Sequence, residues 1–484
     1  MTIFKKDSYL CLMKKVVLFL LILLHVLLFN YFFVNRYPPQ EAAIQRAAWN
    51  ENNFSGNVDD YLKLYFSSRS DETYYYQWAT FILGKEFSFD DPSPAGLDKD
   101  HAKAGENEYG LTNYFHESPK LRRPYRDISF GYPPLMIVPI LTSRFLSHNY
   151  LEFIRYLALF ATLAYFGSLW IMYRIWKEQP QETKFSWNTI LATSLLSLFF
   201  LGQIYVTHLD VYPSLLYALA VYYFIKERYI FSGVWIVLGT FAKAYSLILA
   251  PLFMITLLQN KKYRELVLTS IVSIVLIILL NWMLAWWTEG HYFDTLKLHW
   301  DRGIQAESLY SLVPYLAHLI FKSPINIYFS HGSYNIDAAS VPFLLKMSKM
   351  TPIIVFSSLY FLFWRFIRIK KGDLNQKQIL VSTSFFLICA FILTFKVFSP
   401  AFLIWLTPLV FIIDVSYKKY FMFFFIFMFF ITQCIFPNAS RSLLQAQPLG
   451  VILLCIRNFL LLGLFIWGTS QLYLKKKEYE LNHG

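Results

Sequence analysis

Charged residues and cysteines are both scarce in this sequence, and each shortage excludes a class of protein. Only 15% of the 484 residues are charged, whereas a soluble domain usually carries about a quarter. The four cysteines include no Cys-x-x-Cys pair, so a disulfide framework and a zinc site are both disfavoured. Ordinary soluble folds and small cysteine-stabilised domains are therefore poor descriptions of this chain.

Long apolar runs are abundant in the sequence. Hydrophobic residues make up 56% of the chain and aromatic residues 20%, and they come in blocks such as residues 265–287 and 449–467. In lipid, every backbone amide must be satisfied within its own segment, so an apolar run of about 18 residues or more indicates a membrane-spanning helix. We therefore predict an all-α integral membrane protein.

Basic residues form short clusters between the apolar runs, and the net charge is +13. This spacing is typical of cytoplasmic loops under the positive-inside rule, and not of a basic face that binds nucleic acid. The basic segments 5–15 and 475–477 are both expected inside, which requires an even number of crossings. Segment 131–147 is short and rich in proline, and a crossing there would place the later clusters outside. We predict that it is a juxtamembrane helix.

These constraints predict about twelve transmembrane helices in a single polytopic domain, residues 1–484. Two long external loops follow, namely 35–150, which carries juxtamembrane helices, and 288–349. The pair 229–243 and 244–258 is short, and a re-entrant hairpin is the alternative there. The predicted spans are residues 15–34, 151–173, 187–204, 209–226, 229–243, 244–258, 265–287, 350–369, 378–396, 400–415, 418–436 and 449–473.

Two acidic centres lie on the predicted external side. Asp71 and Glu72 stand at the start of an amphipathic stretch, where the helix dipole would keep a carboxylate ionised and able to act as a base. A helix cap is the structural alternative for this pair. Asp210 lies at the external mouth of a predicted helix, where an ionisable residue is either functional or a boundary charge that reaches the interface.

Three cations lie on the same side, against the usual bias of external loops. Lys243 and Lys396 each stand alone in an apolar stretch, and Arg302 lies in the second long loop. Lysine and arginine both suit phosphate, and arginine can bind two phosphate oxygens at once. The alternatives are an error in the topology for the lysines and a salt bridge to Glu307 for Arg302.

The acidic and basic residues together indicate one kind of chemistry. A carboxylate could take the proton of an acceptor hydroxyl, and cations could stabilise a leaving phosphate, which suits transfer from a donor linked to a lipid phosphate. Asp71, Glu72 and Asp210 are candidate ligands if a divalent metal takes part, a question that the pattern leaves open. His208 and His299 are expected to be interface residues, because no ligand spacing supports a metal site.

These segments resemble membrane glycosyltransferases of the GT-C class, and more closely glycosyltransferase family 87, the mannosyltransferases that use polyprenyl-phosphate mannose. The segments that carry the GT-C resemblance are Asp71-Glu72-Thr73, Tyr132-Pro133-Pro134-Leu135, Asp210 and Lys243. Those that carry the family resemblance are Gly202-Gln203, Gly233 to Pro251 with Lys243 between them, Arg302 to Ser308, and Lys396 to Leu406. The last motif departs from the family's usual Ser-Pro-Gln-Tyr, since it contains Ala401 and Phe402.

The resemblance implies an inverting hexosyltransferase that takes its sugar, with mannose as one candidate, from a polyprenyl-phosphate donor. A lipid or glycan would accept the sugar on the non-cytoplasmic face of the bilayer, which is the plasma membrane in a bacterium. Asp71 is the expected base, with Glu72 beside it, and Asp210 is a second acidic site. The implied phosphate-binding residues are Arg302, Lys243 and Lys396, and the implied positioning residues are Gln203, Tyr132, Gln305, Glu307 and Trp405.

A polytopic lipid or solute transporter, such as a flippase, is the alternative function. Transporters place ionisable residues inside several spans and carry broken helices in matched halves. The predicted spans are largely free of charge, and the unusual charges gather on one side. This distribution favours the transferase.

Overall fold

The structure is a computed structural model that describes residues 70–85, 123–127, 130–178, 186–330, 333–369, 375–415 and 417–483. The predicted first span, 15–34, and most of the first long loop lie outside the described residues. The side chains of Asp71, Glu72 and Gln203 also lie outside the described part, although their backbones belong to helices.

Helices make up most of the described chain, which confirms the predicted class of a mainly helical, multi-pass membrane protein. The α-helices are α1 (Ser70–Leu83), α2 (Ile137–Leu146), α3 (Tyr150–Lys177), α4 (Trp187–Thr207), α5 (Val211–Ile225), α6 (Tyr229–Ala242), α7 (Leu249–Gln259), α8 (Tyr263–Thr288), α9 (Asp294–Asp301), α10 (Leu312–Phe321), α11 (Val341–Ile369), α12 (Asn375–Thr394), α13 (Thr407–Val410), α14 (Lys418–Gln433), α15 (Ser440–Leu444) and α16 (Pro448–His483). Short 3₁₀ turns cover Pro134–Met136, Ala244–Ile248, His291–Phe293 and Pro400–Leu406, and a π turn covers Cys434–Asn438.

Six of the described helices, α3, α8, α11, α12, α14 and α16, are long and apolar enough to cross a membrane. The other predicted spans in the described part coincide with shorter apolar helices, among them α5, α6 and the segment 400–410. Helix length and composition therefore support a polytopic protein with these six spans. The predicted number of twelve spans is not confirmed.

The second long loop contains a small β-sheet, so the prediction of a purely helical protein is wrong there. Strands β1 (Ile304–Gln305), β2 (Asn326–Ser330) and β3 (Ser333–Asp337) pair antiparallel in the order β1-β3-β2. Ile304 faces Ile336 across the ladder, and both side chains are fully buried. Burial of β-branched side chains on one face stabilises these short strands. Prediction from the alternation of apolar and polar residues misses strands of this kind.

Helix α2, within the predicted juxtamembrane segment, packs against both α1 and α3. Arg144 on α2 is 2% exposed. Its guanidinium donates to Thr80 Oγ1 at 2.8 Å and to Ser147 O at 2.8 Å, and it lies 4.8 Å from the centre of the Tyr76 ring. The arginine therefore ties α2 to α1, and the proposal that residues 131–147 do not cross the membrane stays a prediction.

Helices α6 and α7 form a hairpin that begins and ends at the same end of the bundle. The chain turns at Lys243, whose backbone is extended between α6 and the following 3₁₀ turn. At the far end, Lys262 Nζ donates to Glu227 Oε2 and to the Tyr229 hydroxyl, each at 2.7 Å. This geometry fits an even number of passes between the two basic loops.

The bundle has two chemically different ends, which we name by their residues. The loop end carries Asp210, Lys243 and Lys396 together with the sheet of the second long loop; there Gln305 N donates to Lys396 O at 3.0 Å. The basic end carries the turns after α3, α5 and α7, and an ion pair joins Lys226 to Glu178 across it. The largest apolar core lies between the two ends.

Candidate active site

A buried triad of Asp210, Lys243 and Trp405 lies at the loop end. Lys243 Nζ is 2.6 Å from Asp210 Oδ1, and Trp405 Nε1 donates to the same oxygen at 2.6 Å. Three separate elements supply these side chains: the turn before α5, the break after α6, and the 3₁₀ turn that precedes α13. The tertiary fold thus brings together three residues that lie far apart in the sequence and that its pattern indicates one by one.

Aromatic rings enclose the triad and control which part of it water can reach. Trp405 is stacked between Tyr245 and Phe402, with ring centres 4.1 and 4.0 Å away. Lys243 Nζ lies 4.6 Å from the Phe402 ring centre and 5.0 Å from that of Trp405. The side chain of Asp210 is only 3% exposed and that of Lys243 is 24% exposed. The lysine is therefore the member of the triad that an incoming ligand can meet first.

The break that places Lys243 depends on a close approach between α6 and the 3₁₀ turn. A methyl group at Gly239 would lie 2.5 Å from Ser246 Oγ, so only glycine allows the turn to fold back this tightly. One ammonium has three donors, and the carboxylate of Asp210 uses one of them. The remaining donors make Lys243 able to bind an anion without losing its partner.

Lys396 is engaged with the backbone of the second long loop. Its Nζ donates to Trp300 O at 2.6 Å and to Arg302 O at 2.5 Å. Gln305 Oε1 accepts a hydrogen bond from Phe398 N at 2.7 Å, which ties the same two segments together. In this geometry Lys396 and Gln305 hold the Trp300–Arg302 segment in place, and direct phosphate binding by Lys396 stays a prediction.

His299 lies within the electrostatic influence of the three predicted cations. Its ring is accessible to water but surrounded by protein, and that loss of bulk water lowers the pKa of His299 to about 3. The positive charges of Arg302, Lys243 and Lys396 lower it further. His299 is therefore neutral near pH 7, and the positive potential of all three cations reaches its ring.

Glu307 pairs with Arg457 in the described part of the chain, which argues against the alternative that it is the salt-bridge partner of Arg302. Arg457 Nη1 lies 3.3 Å from Glu307 Oε2, and Nη2 donates to Glu307 O at 2.5 Å. The Arg457 guanidinium lies 4.1 Å from the centre of the Phe398 ring. Burial raises the pKa of Glu307, and the charge of Arg457 opposes that shift. Glu307 is thus part of the scaffold that anchors the loop to α16.

Arg457 is a further polar residue of this site, and it is not among those that the sequence pattern indicates. It is the single charge in the apolar run 449–467 and is fully buried. An arginine inside a membrane-spanning run is costly unless it has a partner, and that rule could have identified it. Asn458 beside it donates to Glu307 O at 3.3 Å and to Ser308 O at 3.1 Å, so two polar residues of α16 hold the loop.

Tyr132 belongs to an aromatic cluster beside α1. The Tyr75 hydroxyl donates to the Tyr132 hydroxyl at 2.7 Å, and the Tyr125 hydroxyl donates to Tyr132 O at 2.6 Å. Positions 71 and 72 lie in the first turn of α1, one turn before Tyr75. Helix α1 is therefore anchored at the point where the predicted base enters the helix.

Among the described side chains, no three histidine, cysteine or acidic groups come together, and this set includes His208, His299 and Asp210. The other two candidate metal ligands, Asp71 and Glu72, have side chains outside this set. Asp210 instead has an ammonium and an indole as partners. What the described arrangement can do is hold an anion beside a buried carboxylate.

The family model of glycosyltransferase family 87 matches residues 130–400, which is more than half of the chain. Asp210, Lys243, Arg302 and Lys396 lie inside the matched region, and position 71 lies outside it. A comparison with curated proteins finds no match.

Proposed function

The chain belongs to glycosyltransferase family 87, and from this premise we propose that it transfers a hexose from a polyprenyl-phosphate donor to a lipid or glycan acceptor. Mannose is the first sugar to test, because the sequence resembles the mannosyltransferases of this family. Family membership favours glycosyl transfer over the alternative of a transporter or flippase.

The observation that carries the proposal is the set of cations held at the loop end: Lys243 Nζ lies 2.6 Å from the buried carboxylate of Asp210, and Lys396 Nζ donates to Arg302 O at 2.5 Å. In glycosyl transfer from a lipid phosphate, negative charge grows on the phosphate as its bond to the sugar breaks. Cations already held in place stabilise that charge without reorganising, so they lower the barrier as well as bind the donor. A neutral donor would give this cluster no comparable role.

The proposed step is a single displacement at the anomeric carbon. The acceptor hydroxyl attacks, the carbon–oxygen bond to the phosphate breaks, and polyprenyl phosphate leaves with the bonding electrons. Asp71 takes the hydroxyl proton, with Glu72 as the neighbouring alternative, and one displacement inverts the configuration. Lys243 and Arg302 contact the phosphate, while Asp210 holds Lys243 and Lys396 holds the Arg302 segment.

The proposed site faces the non-cytoplasmic side of the membrane. It lies at the loop end, opposite the turns that carry Lys226, Lys261 and Lys262. Under the positive-inside rule those turns belong in the cytoplasm. In a bacterial cell the site would then open outward from the plasma membrane, where a lipid-linked donor is accessible to it.

The test is incubation of the purified full chain with radiolabelled polyprenyl-phosphate hexoses and scoring of released polyprenyl phosphate. Mannose and glucose donors are compared, and a nucleotide-linked form of each sugar is the matched control. We expect lipid phosphate release with inversion from a lipid-linked donor only. Turnover of the nucleotide sugar would contradict the proposed donor, and lipid movement across sealed vesicles without sugar transfer would indicate a transporter.

A further inference from the structure

A cavity of about 390 Å³ lies at the basic end of the bundle, away from the candidate active site. Its size falls within the range of small-ligand sites, which begins at about 300 Å³. The residues that line it are Trp170, Arg174, Tyr222, Tyr223, Lys226 and Arg228.

The lining is strongly positive. Three of its side chains are basic and none is acidic among the lining residues of the described chain. The nearby carboxylates are engaged with lysines: Glu178 pairs with Lys226 and Glu227 pairs with Lys262. Glu178 neutralises the charge of Lys226. Two positive charges, those of Arg174 and Arg228, remain for a ligand. The cavity therefore suits an anion.

Aromatic rings hold Arg174 in a defined position. Its guanidinium carbon lies 5.2 Å from the Trp170 ring centre and 5.8 Å from the Tyr222 ring centre. Cation–π contacts use the face of the guanidinium, and its N–H groups lie on the edge. A guanidinium held by its face can still offer two parallel donors to a phosphate.

An apolar surface continues from the cavity. Trp170 is 54% exposed and Phe231 is 56% exposed, and the Phe231 ring stacks on Tyr223 at 5.7 Å. Exposed aromatic side chains at the end of apolar helices are typical of the membrane interface, where one part contacts acyl chains and another the headgroups. A ligand in this cavity can thus place an anion among the cations and a chain along the rings.

We propose that this cavity binds the phosphate group of an anionic membrane phospholipid. Arg174 and Arg228 contact the phosphate, and the acyl chains run along Trp170 and Phe231. Free inorganic phosphate shares the charged part of this chemistry but would gain nothing from the apolar surface. Anionic lipids are concentrated in the cytoplasmic leaflet, and basic pockets between transmembrane helices on that side recognise their headgroups. The proposal does not depend on the sugar donor.

The experiment is native mass spectrometry of the full chain, with titration of phosphatidylglycerol in detergent at about 0.15 M salt, where long-range attraction is screened. The double variant Arg174→Gln/Arg228→Gln is compared with Lys261→Gln/Arg264→Gln, which removes the same charge from the same end outside the cavity. We expect one retained lipid on the wild type and on the control, and at least about a tenfold weaker affinity for the cavity variant.

Two further binding measurements could refute the proposal. Phosphatidylcholine should bind at least about tenfold more weakly than phosphatidylglycerol, and inorganic phosphate should fail to displace the retained lipid at equal concentration. Equal affinity of both double variants, or of both lipids, would overturn the assignment. Displacement by inorganic phosphate at equal concentration would instead indicate a site for free phosphate. Thermal unfolding of each variant distinguishes lost binding from lost folding. Arg174→Lys keeps the positive charge, so it should retain part of the affinity that the double variant loses.

Discussion

The two ends of the bundle use the same residue types in opposite ways. At the loop end, Lys243 pairs with Asp210, which is 3% exposed. At the basic end, Lys262 pairs with Glu227, which is 62% exposed. An exposed ion pair contributes little to protein stability, whereas a buried carboxylate destabilises the protein unless it is paired. The difference shows that burial, not the presence of charge, distinguishes the candidate site.

The two ends also differ in how far along the chain their contacts reach. Lys226 and Glu178 are 48 residues apart, and Lys262 and Glu227 are 35 residues apart. At the loop end, Trp405 and Asp210 are separated by 195 residues. Neighbouring hairpins are enough to build the basic end. The candidate site instead requires the whole bundle to close.

The largest effect we expect is all-or-none and concerns the orientation of the two ends. In sealed cells, Lys177→Cys and Lys261→Cys at the basic end should not react with an impermeant thiol reagent. Asp294→Cys at the loop end should react, because that side chain is 75% exposed. Labelling of both basic-end cysteines from outside would refute the predicted topology from α3 onward, including the juxtamembrane position of residues 131–147.

Next in size is the effect of Asp71→Asn, which should reduce transfer by about 10²–10⁴ and leave expression and insertion unchanged. A general base loses its function as an amide, while the change from aspartate to asparagine keeps the size and shape of the side chain. Asp294→Asn is the matched control, since that residue also lies in the first turn of a loop-end helix. Near-normal turnover of Asp71→Asn would move the role to Glu72 or remove it from this helix.

A smaller effect is expected for Arg302. Arg302→Ala should lower turnover and donor affinity by roughly tenfold or more, and Arg302→Lys should lie between it and the wild type, because lysine lacks the planar fork. For each variant, turnover is measured with saturating lipid-linked donor, and the effect on donor affinity is measured with limiting donor.

Glu307→Ala separates this role from a structural one. It should leave Arg457 buried without its carboxylate, at a cost of about 3 kcal/mol in stability. Normal donor affinity in a stable Arg302→Ala protein would rule out phosphate binding by that residue. Matching stability defects in the two alanine variants would assign Arg302 to the loop scaffold.

The smallest effects come from double-mutant cycles that compare the two ion pairs directly. Asp210→Asn with Lys243→Met should give a coupling free energy of about 2–3 kcal/mol in the stability of the protein. Glu227→Gln with Lys262→Met should give less than about 1 kcal/mol, because solvent screens that pair. Equal coupling at both ends would remove the distinction on which the site assignment depends.

Much of the fold could be predicted because apolar run length directly sets helix length in a membrane. The run predicted as 265–287 is the helix Tyr263–Thr288, and that predicted as 151–173 is Tyr150–Lys177. The small sheet could not be predicted in this way. Its strands are short, and their stability comes from the burial of Ile304 against Ile336, a contact between segments about thirty residues apart.

By itself, the sequence determined the membrane class, the approximate positions of the long apolar helices and the list of unusual charges that includes Asp210, Lys243 and Arg302. These follow from composition and local spacing, because the cost of placing charge in lipid acts on each residue separately. Only the tertiary structure decided the partners. Trp405 and Lys243 share one oxygen of Asp210, and Glu307 pairs with Arg457 instead of Arg302. Partnership depends on which helix ends meet in space, and packing of the whole bundle sets that arrangement.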